Sequence, residues 1–204
     1  MPARNIVRIN ITEGYFHVYT RGASKKLIFL EDSDYQRFLS LVHRYLGESD
    51  EVDARGRQYR SFRDRLELLA FCLMPNHVHL LFFQYDEKAI SEFMQCVMGR
   101  YSNYFNLKYH QSGQLTESRF KASWISNDTY LMHISRYIHL NPRHWRTWRW
   151  SSLADYEKRP TNAGVSPGKI IELFSSRQHY MEFVADYEES KKSLDAIKNE
   201  LANY

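Results

Sequence analysis

Cysteine is scarce here, with two in 204 residues. So small a number reads as neither a disulfide framework nor a zinc site. Cys72 and Cys96 each sit inside an apolar pattern and read as small buried hydrophobes. Long apolar runs are missing too. No stretch reaches the roughly 18 residues of a membrane span, and the first residues show no signal-peptide core. The expectation is a soluble, cytoplasmic protein. No internal repeat or low-complexity tract is present.

What is there is apolar and aromatic. Hydrophobic residues make up 43% of the chain, enough for a proper core, and fifteen tyrosines and twelve phenylalanines make it aromatic-rich. The net charge is only +4, but it is unevenly spread. Arg100 to Trp150 holds eight Lys/Arg against Glu117 and Asp128, whereas Ser151 to Tyr204 is net −2. A basic, aromatic middle suits nucleic acid, because phosphates need cations and bases need stacking partners. It is equally the composition of a solvated surface.

Taken in order, residues 1–13 read as a short arm. Tyr15 to Thr20 reads as a strand, ended by Arg21-Gly22. Its His17 is either a packed strand residue or a further metal ligand. Asp32-Ser33-Asp34 offers N-caps for a helix to about Leu46, with Phe38, Leu41, Val42 and Tyr45 on its core face. The segment 48–65, with arginines at 55, 57, 60, 63 and 65 and Tyr59 and Phe62 between them, reads as a solvated or DNA-contacting loop. Glu67 to Met74 is a strand, and a second strand follows directly, so the two predict an antiparallel hairpin. A helix from about Glu87 to Tyr109 shows one continuous apolar face, and a strand covers Arg119 to Ile125. A short helix runs from Thr129 to about Leu140, stopped by Pro142. A linker at 161–168 leads to one or two amphipathic helices.

The chemistry centres on Met74-Pro75-Asn76-His77-Val78-His79-Leu80-Leu81. Side chains alternate along a strand, so His77 and His79 project to one face and Val78 to the other. Two imidazoles so placed can share one divalent cation. On the later helix Tyr137 and Asn141 lie four apart, on one face. A tyrosine hydroxyl beside a metal site can attack a phosphodiester, and an asparagine amide oxygen can serve as a third ligand. Alternating Arg and Trp from Arg143 to Trp150 favours a nucleic-acid surface.

Four ordered motifs carry a family resemblance. They are the His-Val-His segment, Ser118-Arg119-Phe120-Lys121, Tyr137-Ile138-His139-Leu140-Asn141-Pro142 and Trp150-Ser151-Ser152. Together they resemble the REP-associated tyrosine transposases, of the HUH superfamily of single-tyrosine transposases acting on single-stranded DNA. The resemblance spans roughly residues 14–156. It implies an α+β fold: a ferredoxin-like antiparallel sheet with helices packed on it. Domain bounds of 1–156 and 157–204 follow, the second a C-terminal helical extension outside the resemblance.

The resemblance also implies that His77 and His79 bind the catalytic Mg²⁺ or Mn²⁺, that Asn141 completes the metal shell, and that Tyr137 is the nucleophile. Insertion-sequence relatives place glutamine where Asn141 stands. The implied reaction cleaves and rejoins hairpin DNA through a 5′-phosphotyrosine link, by a monomer or homodimer. Arg119, Lys121, Arg136, Arg143, Arg146 and Arg149 would hold the strand. Two competing readings are a non-catalytic hairpin-binding protein and a metal nuclease that uses water, with Tyr137 structural.

Overall fold

A computed structural model describes residues 11–47, 52, 56, 58, 60–117, 119–159, 161 and 163–186. Residues 1–10 of the expected arm and the end of the expected C-terminal helices, after 186, therefore lie outside the described residues, as do Arg55, Arg57 and Tyr59.

The elements run β1 (Gly14–Arg21), α1 (Asp32–Leu46), β2 (Leu66–Met74), β3 (His77–Gln84), α2 (Ala89–Lys108), β4 (Lys121–Ile125) and α3 (Asp128–Leu140). Three short helices follow: α4 (Leu153–Tyr156), α5 (Gly168–Ile171) and α6 (Arg177–Ala185). The four strands form one antiparallel sheet in the order β2-β3-β1-β4. A β-α-β-β-α-β succession with this order is the ferredoxin-like arrangement, so the expected α+β fold is borne out.

Alternation along the strands sorts side chains into two layers. Phe16, Val18, Phe71, Leu73, Val78, Leu80 and Phe82 face α1 and α2 and form the larger core. The opposite face, through Cys72, Leu81 and Ile125, meets Leu131, Ile134 and Ile138 of α3, with Tyr180 and Val184 of α6 behind them. A register shift between Leu68 and Ala70 lets Leu69 and Ala70 both join this second layer. The His-Val-His segment thus splits as the alternation requires, with Val78 in the first core and His79 toward α3.

Helix ends follow local chemistry. Asn127 caps α3 by accepting the Tyr130 N–H at 2.8 Å. The cap of α1 is Glu31, one residue before the expected aspartate. At Gly22 a Cβ would come 2.1 Å from the Lys26 carbonyl oxygen, so only glycine fits. Its N–H donates to the Asn76 carbonyl oxygen at 2.8 Å, which ties the end of β1 to the β2–β3 turn. The outer edge of β2 is covered by later chain. Leu73 N–H donates to the Trp150 carbonyl oxygen, Ser152 N–H to that of Phe71, and Ser166 N–H to that of Leu68.

One expectation needs correcting. Phe62 is not part of a solvated basic loop; it is fully buried among Tyr45, Phe82 and Phe93. Burying a phenylalanine contributes about 1.5–3 kcal/mol, which anchors the segment. Arg60 and Arg65 beside it pair with Glu92, and Arg65 also with Asp86. Among the described residues no helix is long and apolar enough to cross a membrane.

Candidate metal and tyrosine site

The antiparallel register brings three strands to one place. Tyr19 of β1 lies opposite His79 on β3 and Lys121 on β4, and Arg21 lies opposite His77. α3 crosses this face. It sets the Tyr137 ring edge-on to His79, with centroids 5.4 Å apart, and to His17 at 6.1 Å. Asn141, the C-cap of α3, brings its Oδ1 to 3.1 Å from Nε2 of His77. The four residues expected to carry the chemistry therefore meet, from elements up to 64 residues apart.

The hydrogen bonds assign the ring nitrogens. Asn76 Nδ2 donates to the Lys25 carbonyl oxygen at 3.2 Å, which turns its Oδ1 to Nδ1 of His77 at 2.6 Å. This contact favours the tautomer with the His77 proton on Nδ1, which leaves Nε2 turned toward the Asn141 amide. Burial pushes the His77 imidazole down from its ordinary value, opposed by Asn141 and helped by Arg21, which disfavours an imidazolium. A neutral imidazole nitrogen and an amide oxygen converging at 3.1 Å are donors that a divalent cation can share, so the residues present fit a metal.

His79 is 6% exposed, and burial, with His17, His77 and Arg21, pushes it well down. Its Nδ1 is 2.9 Å from Nε2 of His17, leaving Nε2 for an ion. His17 is fully buried, and burial alone takes its pKa to about 3. It is a packed strand residue whose Nε2 is already engaged. Among the described residues no group of three His, Cys, Asp or Glu side chains is arranged to hold a metal. Two imidazoles and one amide make an open donor set, which suits an ion that also takes substrate oxygens more than a closed structural zinc.

Tyr137 is 8% exposed, and burial raises its pKa; a hydrogen bond with Asn141 and the charge of Arg21 pull the other way. Tyr130, two turns back, packs at the rim of the α3 cluster.

The basic residues divide. Arg119 is exposed just before β4, and Lys121 extends its ammonium over the Tyr19 ring at 5.7 Å. Arg143, Arg146 and Arg149 are exposed in the turns after α3. Arg146 lies over Trp145 at 4.1 Å; Arg149 lies over Trp150 at 4.6 Å and pairs with Asp32 at 2.8 Å. Arg136 is different and corrects an expectation. It is 5% exposed, with its guanidinium 3.9 Å from the Phe183 ring centroid and bonded to the Phe183 carbonyl oxygen. It holds α6 to α3 and is not the exposed cation that a DNA contact needs.

Sequence reasoning missed Arg21 and Asn76. The alternation of β1 puts Arg21 on the face of His17, but only the strand register shows that it borders His77.

Residues 58–141 match the family model for IS200-like transposases. A comparison with curated proteins finds no match. Among solved structures, a REP-associated tyrosine transposase bound to a REP hairpin aligns with a TM-score of 0.53 at 17% identity, covering 82% of this chain and 92% of that one. A presumed transposase of Deinococcus radiodurans R1 aligns at 16% identity with a TM-score of 0.38, over 59% of this chain and 85% of that one. Residues 58–141 are thus similar to the IS200-like transposases, and the chain shares its fold with a REP-associated tyrosine transposase, in line with the ordered motifs of the sequence.

Proposed function

We propose that this protein is a transposase that cleaves and rejoins single-stranded hairpin DNA, with Tyr137 as nucleophile and a Mg²⁺ or Mn²⁺ ion held by His77, His79 and Asn141. One observation carries the reading. The Tyr137 ring stands 5.4 Å from that of His79, while His77 Nε2 and Asn141 Oδ1 converge at 3.1 Å. The hairpin in the structurally similar transposase supports the substrate class.

When bound, the ion supplies positive charge for a non-bridging phosphate oxygen. The protein's own groups do the rest. The Tyr137 oxygen attacks phosphorus and gives up its proton to solvent. The bond to the 3′ oxygen breaks, and that oxygen takes up a proton as a free 3′-hydroxyl. The 5′-phosphotyrosine retains the phosphoester bond, so a 3′-hydroxyl can reverse the step and join ends without ATP. Arg21, beside His77, is suited to pair with the phosphate and to favour phenolate over phenol. Lys121, Arg119 and the exposed arginines 143, 146 and 149 would supply cations for the DNA backbone. Tyr137 lies against the histidines of its own chain, which supports use of the tyrosine within one copy.

The test is a covalent adduct. Wild type incubated with Mn²⁺ and labelled hairpin DNA should form a denaturation-resistant adduct on the tryptic peptide Tyr137–Arg143. Tyr137→Phe should bind the hairpin normally, cut nothing and form no adduct, whereas Tyr130→Phe stays active. Cutting without an adduct would make the protein a water-using nuclease. Binding without cutting would make it a hairpin-binding protein.

A further inference from the structure

His17 occupies a costly position. It is a fully buried imidazole in the middle of β1, and its Nδ1 finds no hydrogen-bond partner among the described residues. Buried polar atoms are rarely left so, since an apolar side chain would fill the space without that loss. Among the described residues the polar contact of the ring is Nε2 to Nδ1 of His79 at 2.9 Å. The strand register alone does not produce it, because His17 lies opposite Leu81, two residues beyond His79. The rings reach each other by stacking, with centroids 5.0 Å apart and planes 15° from parallel. Tyr137 closes over both.

We propose that His17 is a positioning residue for the metal site: it engages Nδ1 of His79 and so leaves only Nε2 of that ring for the ion. The proposal rests on the metal reading above. Asn76 does the same for His77, by a local turn contact. His17 does it from another strand, 62 residues away. Each ligand thus has its far nitrogen held and its near nitrogen free, the arrangement that fixes ring orientation at metal sites. With an ion on Nε2, the His79 proton resides on Nδ1 and is donated to His17 Nε2, and the His17 proton resides on Nδ1. Both rings keep one proton, so this pair releases none.

The experiment compares wild type, His17→Leu, His17→Gln and His79→Ala. Mn²⁺ affinity is read by the loss of free-ion electron paramagnetic resonance signal. His17→Leu keeps the bulk and removes the contact; it should weaken Mn²⁺ binding about tenfold or more, the usual range for loss of such a contact. His17→Gln restores an oxygen near the Nε2 position and should come within about threefold of wild type, on the same principle. Nitrogen-15 NMR of the Mg²⁺-loaded protein should show His79 protonated on Nδ1 in wild type and His17→Gln. Packing alone would predict no rescue by glutamine and no fixed tautomer.

Unchanged Mn²⁺ affinity in His17→Leu, with His79→Ala abolishing binding, overturns the proposal and leaves the metal reading intact. So does a glutamine variant no better than leucine, or a His79 that binds Mg²⁺ through Nδ1. Equal Mn²⁺ binding by wild type and His79→Ala overturns the metal reading itself, and this proposal with it. If His17→Leu does not fold, the glutamine variant and the wild-type tautomer decide.

Discussion

His139→Phe is expected to destabilise the fold in a way that disappears with acid. His139 is fully buried on α3, two residues after Tyr137. Its Nδ1 bonds the Tyr180 hydroxyl at 2.7 Å and its Nε2 the Ser152 hydroxyl at 2.8 Å. Phenylalanine keeps a ring against Tyr156 and removes both bonds. The partners are not wholly stranded, since Ser152 Oγ still accepts the Phe71 N–H at 2.8 Å and Tyr180 retains Ser135 at 3.3 Å. At about 1–1.5 kcal/mol per bond, the cost at pH 7.5 is about 2–3 kcal/mol. A chain of this size then melts about 5–10 °C lower.

Burial holds the folded His139 pKa to about 3. An unfolded chain takes up its proton near the ordinary value of about 6.5. Below that pH the unfolded state binds a proton that the folded state refuses. The stability present above pH ~6.5 is therefore lost as pH falls, at about 1.4 kcal/mol per unit. Phenylalanine suffers no such loss. The gap between wild type and variant should shrink below pH ~6.5 and close about two units lower, near pH ~4.5. Urea unfolding at a series of pH values measures it. A gap that stays constant with pH would refute the reasoning, because His139 would then not be coupled to folding as a buried neutral ring.

Other expectations follow from the site and its surroundings. His77→Ala and His79→Ala should each abolish Mn²⁺-dependent cleavage and leave hairpin affinity within a few fold, measured by gel shift alongside a cutting assay. Arg143→Ala, Arg146→Ala and Arg149→Ala should each reduce the slope of log affinity against log salt by somewhat under one unit; an unchanged slope in the triple variant would locate the DNA elsewhere. Arg136→Ala should behave oppositely, lowering the melting temperature by several degrees with the salt slope unchanged, because its guanidinium stacks on Phe183 instead of facing solvent.

Much of this was legible because it is periodic. Phe38, Leu41, Val42 and Tyr45 repeat at helical spacing and are all buried. The His-Val-His alternation alone determines which residues share a face, and one turn of helix joins Tyr137 to Asn141. What failed was set by distant chain. Arg136 looks like a surface cation on an amphipathic helix, and nothing near it announces that Phe183 will cover it 47 residues later. Phe62 is one aromatic among arginines, with no period to mark it as core. The roles of Asn76 and Arg21 depend on turn geometry and strand register, which composition does not encode.

The clamp on α3 has a consequence for the order in which the chain is made. Histidines and tyrosine are complete once residue 141 has been synthesised, yet the groups that hold their helix come later. Ser152 and Tyr180 satisfy His139, and Phe183 covers Arg136. A polypeptide interrupted before residue 180 would carry every reactive group with the tyrosine helix only half fastened. Its buried imidazole would lack one partner and its guanidinium would be open to water. Tyr137 is thus held in register only in a product that includes residues 180–183, and fragments lacking them should bind the hairpin without cutting it.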